Sequence, residues 1–384
     1  MNVLLVCNNA FIKGNGLSTA VRMQHRLLRE AGVDARILAM RNDDPEGEQP
    51  EFPLEHLVIP VFESILKSQG FGFAKANRKA ILAALEWADV VHIEEPFLLE
   101  EKVIRLARKL RKPCVATFHL FTQNIMDTIG LGEDKVINEA WLALWKRRIY
   151  NKCSYIHCPT ETVADILASH RFKAHLMTFS NGVTIPDERI IAQVPEMDPF
   201  IIICIGRMSK EKAQTTLLKA MKYSRHADRI QLVFAGKGPL LEKIERKADR
   251  LYEKGVLKLK PTFGFYNHEQ LRELVRKSYL YIHCAWVEVE GLSCLESLRE
   301  GTVPVIAKGP LTATSKFALD KRSIYRVKNP WDLASKIDWW IDHPEERIEM
   351  GQKYADKVRE YDVHNSTLTM IEMYRRAIED ARKS

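Results

Sequence analysis

Two carboxylates flank a glycine turn in the stretch WVEVEGLSCLESLREGTVPVIA, which covers residues 286–307. Glu288 precedes the turn, and Glu296 follows it inside a pattern typical of a helix. Carboxylate oxygens accept hydrogen bonds from sugar hydroxyls, and the first N–H groups of a helix bind phosphate oxygens. A helix cap followed by an ordinary helical glutamate would explain the same residues. The stretch suits a nucleotide-sugar, with backbone contacts to pyrophosphate from Gly291, Leu292 and Ser293.

Two cations lie just beyond a buried strand in the sequence CIGRMSKEK. The predicted strand ends at Gly206, and Arg207 and Lys212 follow, five residues apart. A guanidinium forms a planar fork for phosphate oxygens, and an ammonium supplies a mobile positive charge. These residues therefore predict a diphosphate site, and a solvent-exposed basic loop is the alternative.

Glycines mark two further turns between a strand and a helix. Gly236 and Gly238 occur in VFAGKGPLLEKI, and Gly14 and Gly16 occur in NAFIKGNGLSTA. Glycine lets the backbone approach a ligand closely, although a tight turn needs the same residues. Thr19 stands where a dinucleotide-binding fingerprint has its third glycine, so a nicotinamide cofactor is disfavoured.

A histidine follows another predicted strand, in VATFHLFTQN. Ligands of doubly wound sheets bind outside the carboxyl ends of the strands, which makes His119 a candidate site residue. A lone histidine more often serves as a structural hydrogen-bonding group. The sequence pattern by itself leaves both roles open.

Short apolar runs alternate with helical patterns along the chain, as in a parallel sheet covered by helices on both faces. The series begins with NVLLVCNN and starts again with FIIICIGRM, RIQLVFAGKGP, VLKLKPTF, LYIHCAW and VPVIAKG. We therefore predict an α/β protein with two doubly wound, Rossmann-like domains and an interdomain crevice. The predicted boundaries are 1–182 for the first domain, 183–199 for a proline-rich, acidic linker and 200–364 for the second domain. A C-terminal helix at about 365–384 is expected to return to the first domain.

The composition argues against several classes of protein. Seven scattered cysteines indicate buried free thiols in a reducing compartment rather than a zinc site. No apolar run approaches the roughly 18–20 residues of a membrane span, and the first residues predict a strand rather than a signal peptide. The net charge of +8 suits a phosphorylated substrate or an anionic membrane surface. Nucleic acid is the least favoured partner, because the sequence contains no recognisable nucleic-acid-binding motif.

In their order along the chain, these motifs resemble the retaining glycosyltransferases of family 4, which have the GT-B fold. The resemblance covers nearly the whole chain and is strongest from Phe200 to Lys308. The ordered set is specific, whereas each member alone is not. It comprises Gly206-Arg207 with Lys212, Gly236-Lys237-Gly238-Pro239, the two glutamates eight positions apart, GTVPVIA from Gly301, and Asn181-Gly182-Val183.

The resemblance implies a role for each matching residue. Glu288 would contact the hydroxyls of the donor sugar, and Glu296 the ribose. Arg207 and Lys212 would stabilise the leaving diphosphate, so that no metal is needed. His119 would contact the donor sugar from the first domain, and the loop from Gly14 to Gly16 would approach the phosphate or the reaction centre.

Two motifs depart from the family pattern. The usual Glu-Gly-aromatic-Gly motif is Glu288-Val289-Glu290-Gly291 here, so Glu290 competes with Glu288 for the contact to the donor sugar. Many relatives have a glycine after the lysine, whereas this chain has Ala213.

The acceptor is suggested by the segment FHLFTQNI with GLG soon after, which resembles members of the family that join a hexose to diacylglycerol or ceramide. The basic amphipathic helix predicted over Glu100–Arg111, and the aromatic-rich residues 60–79, suit contact with an anionic membrane. An ordinary helix packed on a parallel sheet gives the same pattern.

We therefore expect a metal-independent hexosyltransferase without a cofactor, whose substrate is UDP-glucose or UDP-galactose and whose acceptor is a membrane lipid. Its expected place is the cytoplasm, peripheral on the inner face of the cell membrane. A transferase acting on a polysaccharide or lipopolysaccharide precursor, and a nucleotide-sugar epimerase, remain as alternatives. The sequence determines neither the hexose, the base, the acceptor nor the oligomeric state.

Overall fold

The computed structural model of the chain describes residues 1–12, 16–60, 63, 71–192, 194, 195 and 197–383. The chain divides into two compact units. Unit 1 comprises Met1–Asn181 with His364–Ser384, and unit 2 comprises Gly182–Val363.

Unit 1 is built on a seven-stranded sheet. Its strands are β1 (Asn2–Val6), β2 (Asp34–Met40), β3 (Phe52–Leu54), β6 (Val90–Ile93), β7 (Cys114–Thr117), β8 (Tyr155–Cys158) and β9 (His175–Thr178). Their order in the sheet is β3-β2-β1-β6-β7-β8-β9, and all neighbouring pairs are parallel. The strands β6, β7 and β8 are buried along their whole length, as expected when helices cover both faces. A separate antiparallel pair consists of β4 (His56–Leu57) and β5 (Phe73–Ala74).

Helices connect these strands, and polar side chains cap several of them. The Asn77 side chain, for example, accepts hydrogen bonds from the N–H groups of Lys79 and Ala80 at the start of a helix, which satisfies donors that have no partner inside the helix. The helices are α1 (Gly16–Glu30), α2 (Arg78–Trp87), α3 (Leu98–Lys109), α4 (Thr122–Met126), α5 (Lys135–Arg148) and α6 (Glu161–Ser169).

Unit 2 repeats this architecture with a six-stranded parallel sheet. Its strands are β10 (Phe200–Ile205), β11 (Ile230–Ala235), β12 (Thr262–Gly264), β13 (Leu280–His283), β15 (Val303–Lys308) and β17 (Ile324–Arg326). Their order in the sheet is β12-β11-β10-β13-β15-β17. A short parallel pair is formed by β14 (Val287–Glu288) and β16 (Leu311–Thr312). The helices are α7 (Thr215–Ala220), α8 (Leu241–Glu253), α9 (His268–Lys277), α10 (Leu292–Arg299), α11 (Pro330–Asp342) and α12 (Pro344–Lys357).

The last helix, α13 (Val363–Lys383), packs on unit 1. Met373 and Tyr374 are fully buried in the core of that unit. The Tyr374 hydroxyl lies 2.7 Å from His92 Nδ1 on β6, and the Tyr155 hydroxyl on β8 donates to Asp380 at 2.7 Å. The segment from Gly182 to Pro199 lies with unit 2, where Val183 is buried in the core.

The fold class is the predicted one, with two parallel Rossmann-like sheets. The strand predicted in VLKLKPTF, residues 256–263, is shorter than expected. The strand β12 covers only Thr262–Gly264. The helix predicted at Glu100–Arg111 is α3, which runs from Leu98 to Lys109. Its apolar residues Val103, Leu106 and Ala107 are buried in unit 1, so this apolar face packs inside the protein.

Candidate active site

Two loops of unit 2 cross at the carboxyl ends of β10 and β11, and glycine is required where they touch. A Cβ atom on Gly236 would lie 2.2 Å from the carbonyl oxygen of Gly206, and one on Gly238 would lie 2.5 Å from that of Met208. Hydrogen bonds from Met208 N to Lys237 O (2.8 Å) and from Leu240 N to Met208 O (2.9 Å) tie the loops together. The two glycines therefore allow the close contact that positions the loop of Arg207. This is a structural role, as in a tight turn.

Arg207 extends from this loop with a partly exposed side chain. Its guanidinium Nη2 donates to Glu211 Oε1 at 2.6 Å. Its carbonyl oxygen accepts hydrogen bonds from the Ser209 hydroxyl at 3.3 Å and the Gln214 amide at 2.8 Å. Glu211 and Gln214 are both buried, so these contacts fix the conformation of the loop while the guanidinium still reaches the surface.

Lys212 and Glu288 form a direct ion pair, although 76 residues separate them in sequence. The imidazole Nε2 of buried His283 lies 3.4 Å from the same carboxylate oxygen, Glu288 Oε2. Burial alone would raise the pKa of Glu288, but the charge of Lys212 and the hydrogen bond of His283 lower it to about 2. Glu288 is therefore ionised at neutral pH, and it holds the ammonium of Lys212 in place.

The N-terminus of α10 begins beside this pair at Gly291, whose φ of 90° is in the left-handed region. A Cβ atom there would lie 2.6 Å from the Thr314 hydroxyl oxygen, which donates to the Glu290 carbonyl at 2.7 Å. Among the residues that the structure describes, no side chain caps this helix, so its first N–H groups are available to an anion. The Ser293 hydroxyl lies 3.0 Å from the Tyr281 hydroxyl, which in turn lies 2.8 Å from His283 Nδ1.

Glu296 lies one turn into α10 and is only partly exposed. Burial raises its pKa, against the attraction of His268 and Arg299. No hydrogen bond to its carboxylate is found in the part of the chain that the structure describes. A desolvated carboxylate without such a bond is suited to accept hydrogen bonds from ligand hydroxyls.

The two glutamates before Gly291 have different surroundings. Glu288 forms the ion pair with Lys212. Glu290 is 3% exposed, and its backbone carbonyl accepts the hydrogen bond from the Thr314 hydroxyl. Val289 is also buried. At Ala213, φ is 49°, a conformation that glycine adopts more readily.

In unit 1, the carboxyl ends of β1, β6 and β7 lie side by side and carry polar residues. His119 is two residues beyond the end of β7, and its Nε2 donates to Glu94 Oε2 at 2.8 Å. Glu94 is fully buried and also lies 3.4 Å from His92 Nδ1. Burial would raise the pKa of Glu94, but His92 and His119 lower it, so that a buried carboxylate orients the His119 ring.

A pair of buried carboxyl groups lies next to this contact. Asn8 donates its side-chain amide to Glu95 Oε2 (3.1 Å) and to Glu100 Oε1 (2.9 Å) and its backbone N–H to Glu95 Oε2 (2.5 Å). Burial raises the pKa of Glu95 to about 7. Burial and then the charge of Glu95 raise the pKa of Glu100 well above its usual value.

Sequence reasoning missed His283, Glu94 and the Glu95–Glu100 pair. The signal for Glu94 and Glu95 was present in VVHIEEP, because both follow a strand as His119 does. Gly14 lies outside the described residues, and Gly16 is the first residue of α1. In the described ranges, no group of three or more histidine, cysteine, aspartate or glutamate side chains could hold a metal ion. A cavity of about 450 Å³ lies at the opposite, amino-terminal edge of the unit 1 sheet, lined by residues that include Met1, Asp89 and Arg375.

Two family models match the chain in succession. Glycosyltransferase Family 4 matches residues 14–185, and Glycosyl transferases group 1 matches residues 186–357. The chain belongs to glycosyltransferase family 4. As a GT4 enzyme it is a glycosyltransferase of the retaining class with the GT-B fold, and the two parallel sheets are those of this fold.

Relatives of this GT4 enzyme differ in the sugars they are named for. An alpha-monoglucosyldiacylglycerol synthase of Streptococcus pneumoniae is 23% identical over 80% of this chain and 71% of its own length. A GDP-mannose-dependent alpha-mannosyltransferase of Mycolicibacterium smegmatis is 25% identical over 80% of this chain and 79% of its own. The structure of Anabaena Alr3699/HepE in complex with UDP and glucose aligns over 97% of this chain and 99% of its own, with a TM-score of 0.66 and 12% identity.

Proposed function

We propose that this GT4 enzyme transfers a hexose from a UDP-sugar, UDP-glucose or UDP-galactose, to the hydroxyl of a membrane lipid such as diacylglycerol or ceramide. The bond between the anomeric carbon and the diphosphate breaks, and a bond to the acceptor oxygen forms with retained configuration. The hydroxyl proton leaves with UDP, so the reaction is balanced without a metal or a cofactor.

The ion pair of Lys212 with Glu288 beside the N-terminus of α10 carries the proposal. Negative charge builds up on the diphosphate as the bond to the sugar breaks, and fixed positive groups stabilise that charge. Lys212, Arg207 and the first N–H groups of α10, at Leu292 and Ser293, supply such groups in unit 2. Before the donor binds, Glu288 balances the charge of Lys212.

The carboxylates are proposed to bind hydroxyl groups of the donor. Glu296 is desolvated and makes no hydrogen bond to the described residues, which suits it for the ribose hydroxyls. Glu288 is proposed to bind the donor sugar. The donor phosphates would compete for Lys212, and the carboxylate of Glu288 would then be free to accept from the sugar hydroxyls. His119 is proposed to contact the donor sugar through Nδ1, since Nε2 is already bonded to Glu94.

A lipid acceptor is supported by the relative named as a monoglucosyldiacylglycerol synthase and by the net charge of +8. No helix in the described ranges is long and apolar enough to span a membrane. Contact with the lipid is therefore proposed to be peripheral, on an anionic membrane.

A donor panel tests this proposal. The enzyme is incubated with UDP-glucose, UDP-galactose or GDP-mannose and vesicles that contain diacylglycerol or ceramide, and the products are analysed by mass spectrometry. A hexosyl lipid formed from a UDP-sugar supports the proposal. GDP-mannose is the second candidate donor, because the mycobacterial relative is named for it. A product formed only from GDP-mannose contradicts the proposal. An altered UDP-sugar without transfer also contradicts it.

Replacement of Lys212 tests the role of the ion pair. We expect Lys212→Ala to lower kcat by about a hundredfold, or roughly 3 kcal/mol, because one fixed cation at the leaving group is lost. Lys210→Ala is the matched control, since Lys210 is an exposed cation of the same loop. Steady-state kinetics with the accepted donor measure both variants, and equal turnover in the two would remove Lys212 from the mechanism.

A further inference from the structure

A series of hydrogen-bonded side chains leads from the interior of unit 2 to the start of α10. His283 is the last residue of β13 and is 3% exposed, and Tyr281 on the same strand is fully buried. The Tyr281 hydroxyl lies 2.8 Å from His283 Nδ1 and 3.0 Å from the hydroxyl of Ser293 in the first turn of α10. Ser293 is partly exposed. These three residues, the His283 relay, therefore end at the surface where the donor diphosphate is proposed to bind.

The other ring nitrogen of His283 faces two acceptors. Nε2 lies 3.4 Å from Glu288 Oε2 and 3.4 Å from Thr314 Oγ1. Glu288 is ionised and can only accept hydrogen bonds, and the Thr314 hydroxyl already donates its proton to the Glu290 carbonyl. Nε2 therefore carries the proton of the neutral ring, because neither partner has a proton to offer it.

This tautomer sets the direction of every hydrogen bond in the His283 relay. In the neutral ring Nδ1 is an acceptor, so it accepts from the Tyr281 hydroxyl. The Tyr281 oxygen then accepts from the Ser293 hydroxyl. Ser293 consequently points its proton into the protein and offers only lone pairs at the N-terminus of α10, which is the wrong polarity for a phosphate oxygen.

Protonation of His283 would reverse the relay without breaking it. Both nitrogens of an imidazolium donate, so Nδ1 would donate to the Tyr281 oxygen, and the Tyr281 hydroxyl would donate to Ser293 Oγ. The Ser293 hydroxyl would then be free to donate to a phosphate oxygen, while Nε2 would still donate to Glu288. The reversal requires one proton, which is taken from the solvent.

The charges around the ring favour this proton when a diphosphate is present. Burial lowers the pKa of His283, the contact with Glu288 opposes this effect, and the charge of Lys212 adds to it. Among the described residues, Glu288 on β14 and Lys212 after β10 are the charged groups that act on the ring. The nearby thiol of Cys294 on α10 stays neutral, because burial raises its pKa. Donor phosphates would balance the charge of Lys212 and so raise the pKa of His283.

We propose that the His283 relay takes up one proton when the donor diphosphate binds, so that the Ser293 hydroxyl donates a hydrogen bond to a phosphate oxygen. His283 and Tyr281 are positioning residues in this arrangement, because they act on the donor through Ser293. The inference rests on the proposed donor site at α10 and deepens it, because it adds a side-chain contact to the backbone contacts of that site.

Calorimetric titration of the full chain with UDP-glucose tests the proposal. The phosphates of UDP-glucose do not titrate near neutral pH, so a proton that is exchanged on binding is exchanged by the protein. Titrations at about pH 6, 7 and 8 are compared in phosphate-free buffers of low and high ionisation enthalpy. UDP-galactose or GDP-mannose takes the place of UDP-glucose if the donor panel identifies it as the accepted donor. We expect uptake of up to about one proton per bound donor, and a Kd that rises with pH by at most about tenfold per unit.

Two variants interrupt the His283 relay, and a third is the matched control. Ser293→Ala removes the outer hydroxyl, and Tyr281→Phe removes the middle hydroxyl but keeps the buried ring. We expect both variants to take up no proton and to bind the donor roughly tenfold more weakly at about pH 6, because a hydrogen bond to a charged phosphate is lost. Ser297→Ala makes the same change one turn later in α10, where the hydroxyl donates to the backbone carbonyl of Ser293 at 2.8 Å. This control should keep the proton uptake and the Kd of the wild type.

Binding enthalpies of the wild type that are equal in the two buffers at every pH would overturn the inference. Proton uptake by Ser293→Ala equal to that of the wild type would also overturn it. Either result leaves the proposed function in place if a hexosyl lipid is formed. Proton uptake on donor binding without any hexosyl lipid in the donor panel has the opposite meaning, because the proposed function then fails and the His283 relay stands.

Discussion

The contact of His119 with Glu94 shows how a buried carboxylate orients a candidate catalytic ring. The carboxylate accepts from Nε2, which leaves Nδ1 as the nitrogen that can meet a ligand. The groups that face Glu94 are His119 and His92, and His92 is itself held by the hydroxyls of Tyr374 and Thr117. The ring is therefore fixed by unit 1 before any substrate binds.

Replacement of Glu94 by glutamine tests this positioning. The substitution replaces the carboxylate that accepts from His119 Nε2 by a neutral amide, so the contact that orients the ring is weakened. We expect kcat/KM to fall about tenfold or more, while the variant keeps the fold of the wild type. Steady-state kinetics and circular dichroism check the two expectations. A loss of kcat/KM that is accompanied by unfolding of the variant would indicate a purely structural role for Glu94.

At the scale of elements, the crossing of the loops after β10 and β11 explains why glycines recur at the strand ends. Gly238→Ala would force its Cβ against the backbone of Met208, at 2.5 Å from the carbonyl oxygen and 2.6 Å from the nitrogen. We expect a loss of about 2–3 kcal/mol in the free energy of unfolding, together with a lower kcat, because the loop of Arg207 must shift.

The matched control is Gly255→Ala at the end of α8. Gly255 has a φ of 69°, and a Cβ atom added there would meet no other atom within 4 Å. Its replacement therefore costs only the backbone strain of alanine, about 1 kcal/mol, and should leave kcat unchanged. Urea unfolding and steady-state kinetics are measured for both variants. Gly255→Ala reports backbone strain alone, and Gly238→Ala reports backbone strain together with the steric clash against Met208. Equal effects on kcat would contradict the positioning role of Gly238.

The order of elements could be predicted from sequence because apolar runs and glycine turns are local signals. The positions of Arg207, Gly291 and Glu296 relative to strands and helices followed from the same signals. The ion pair of Lys212 with Glu288 could not, since it depends on the docking of β14 against a loop 76 residues earlier. The buried state of Glu95 and Glu100 was also hidden, because glutamate is usually exposed and only tertiary packing removes it from water. The helix α5 was not predicted, because its apolar residues do not repeat with a clear helical period.

At the scale of the whole molecule, the buried Glu95–Glu100 pair makes stability depend on pH. The pKa of Glu95 is about 7 in the folded protein, against roughly 4.3 in an unfolded chain. Between these values the folded state holds more protons than the unfolded state, so the free energy of unfolding falls as pH rises. Glu100 acts in the same direction, because its pKa is also raised.

Glu95→Gln removes this dependence on pH while it keeps the size of the side chain and an oxygen that can accept from Asn8. We expect the variant to match the wild type near pH 5 and to exceed its free energy of unfolding by about 2–4 kcal/mol near pH 8, where the wild type must hold a buried carboxylate. Urea unfolding followed by circular dichroism over this range measures the difference. Glu86→Gln, which replaces an exposed carboxylate on α2, is the control and should give a curve parallel to the wild type. A parallel curve for Glu95→Gln as well would show that Glu95 gains water or a cation in solution, and its pKa would then be close to that of an exposed glutamate.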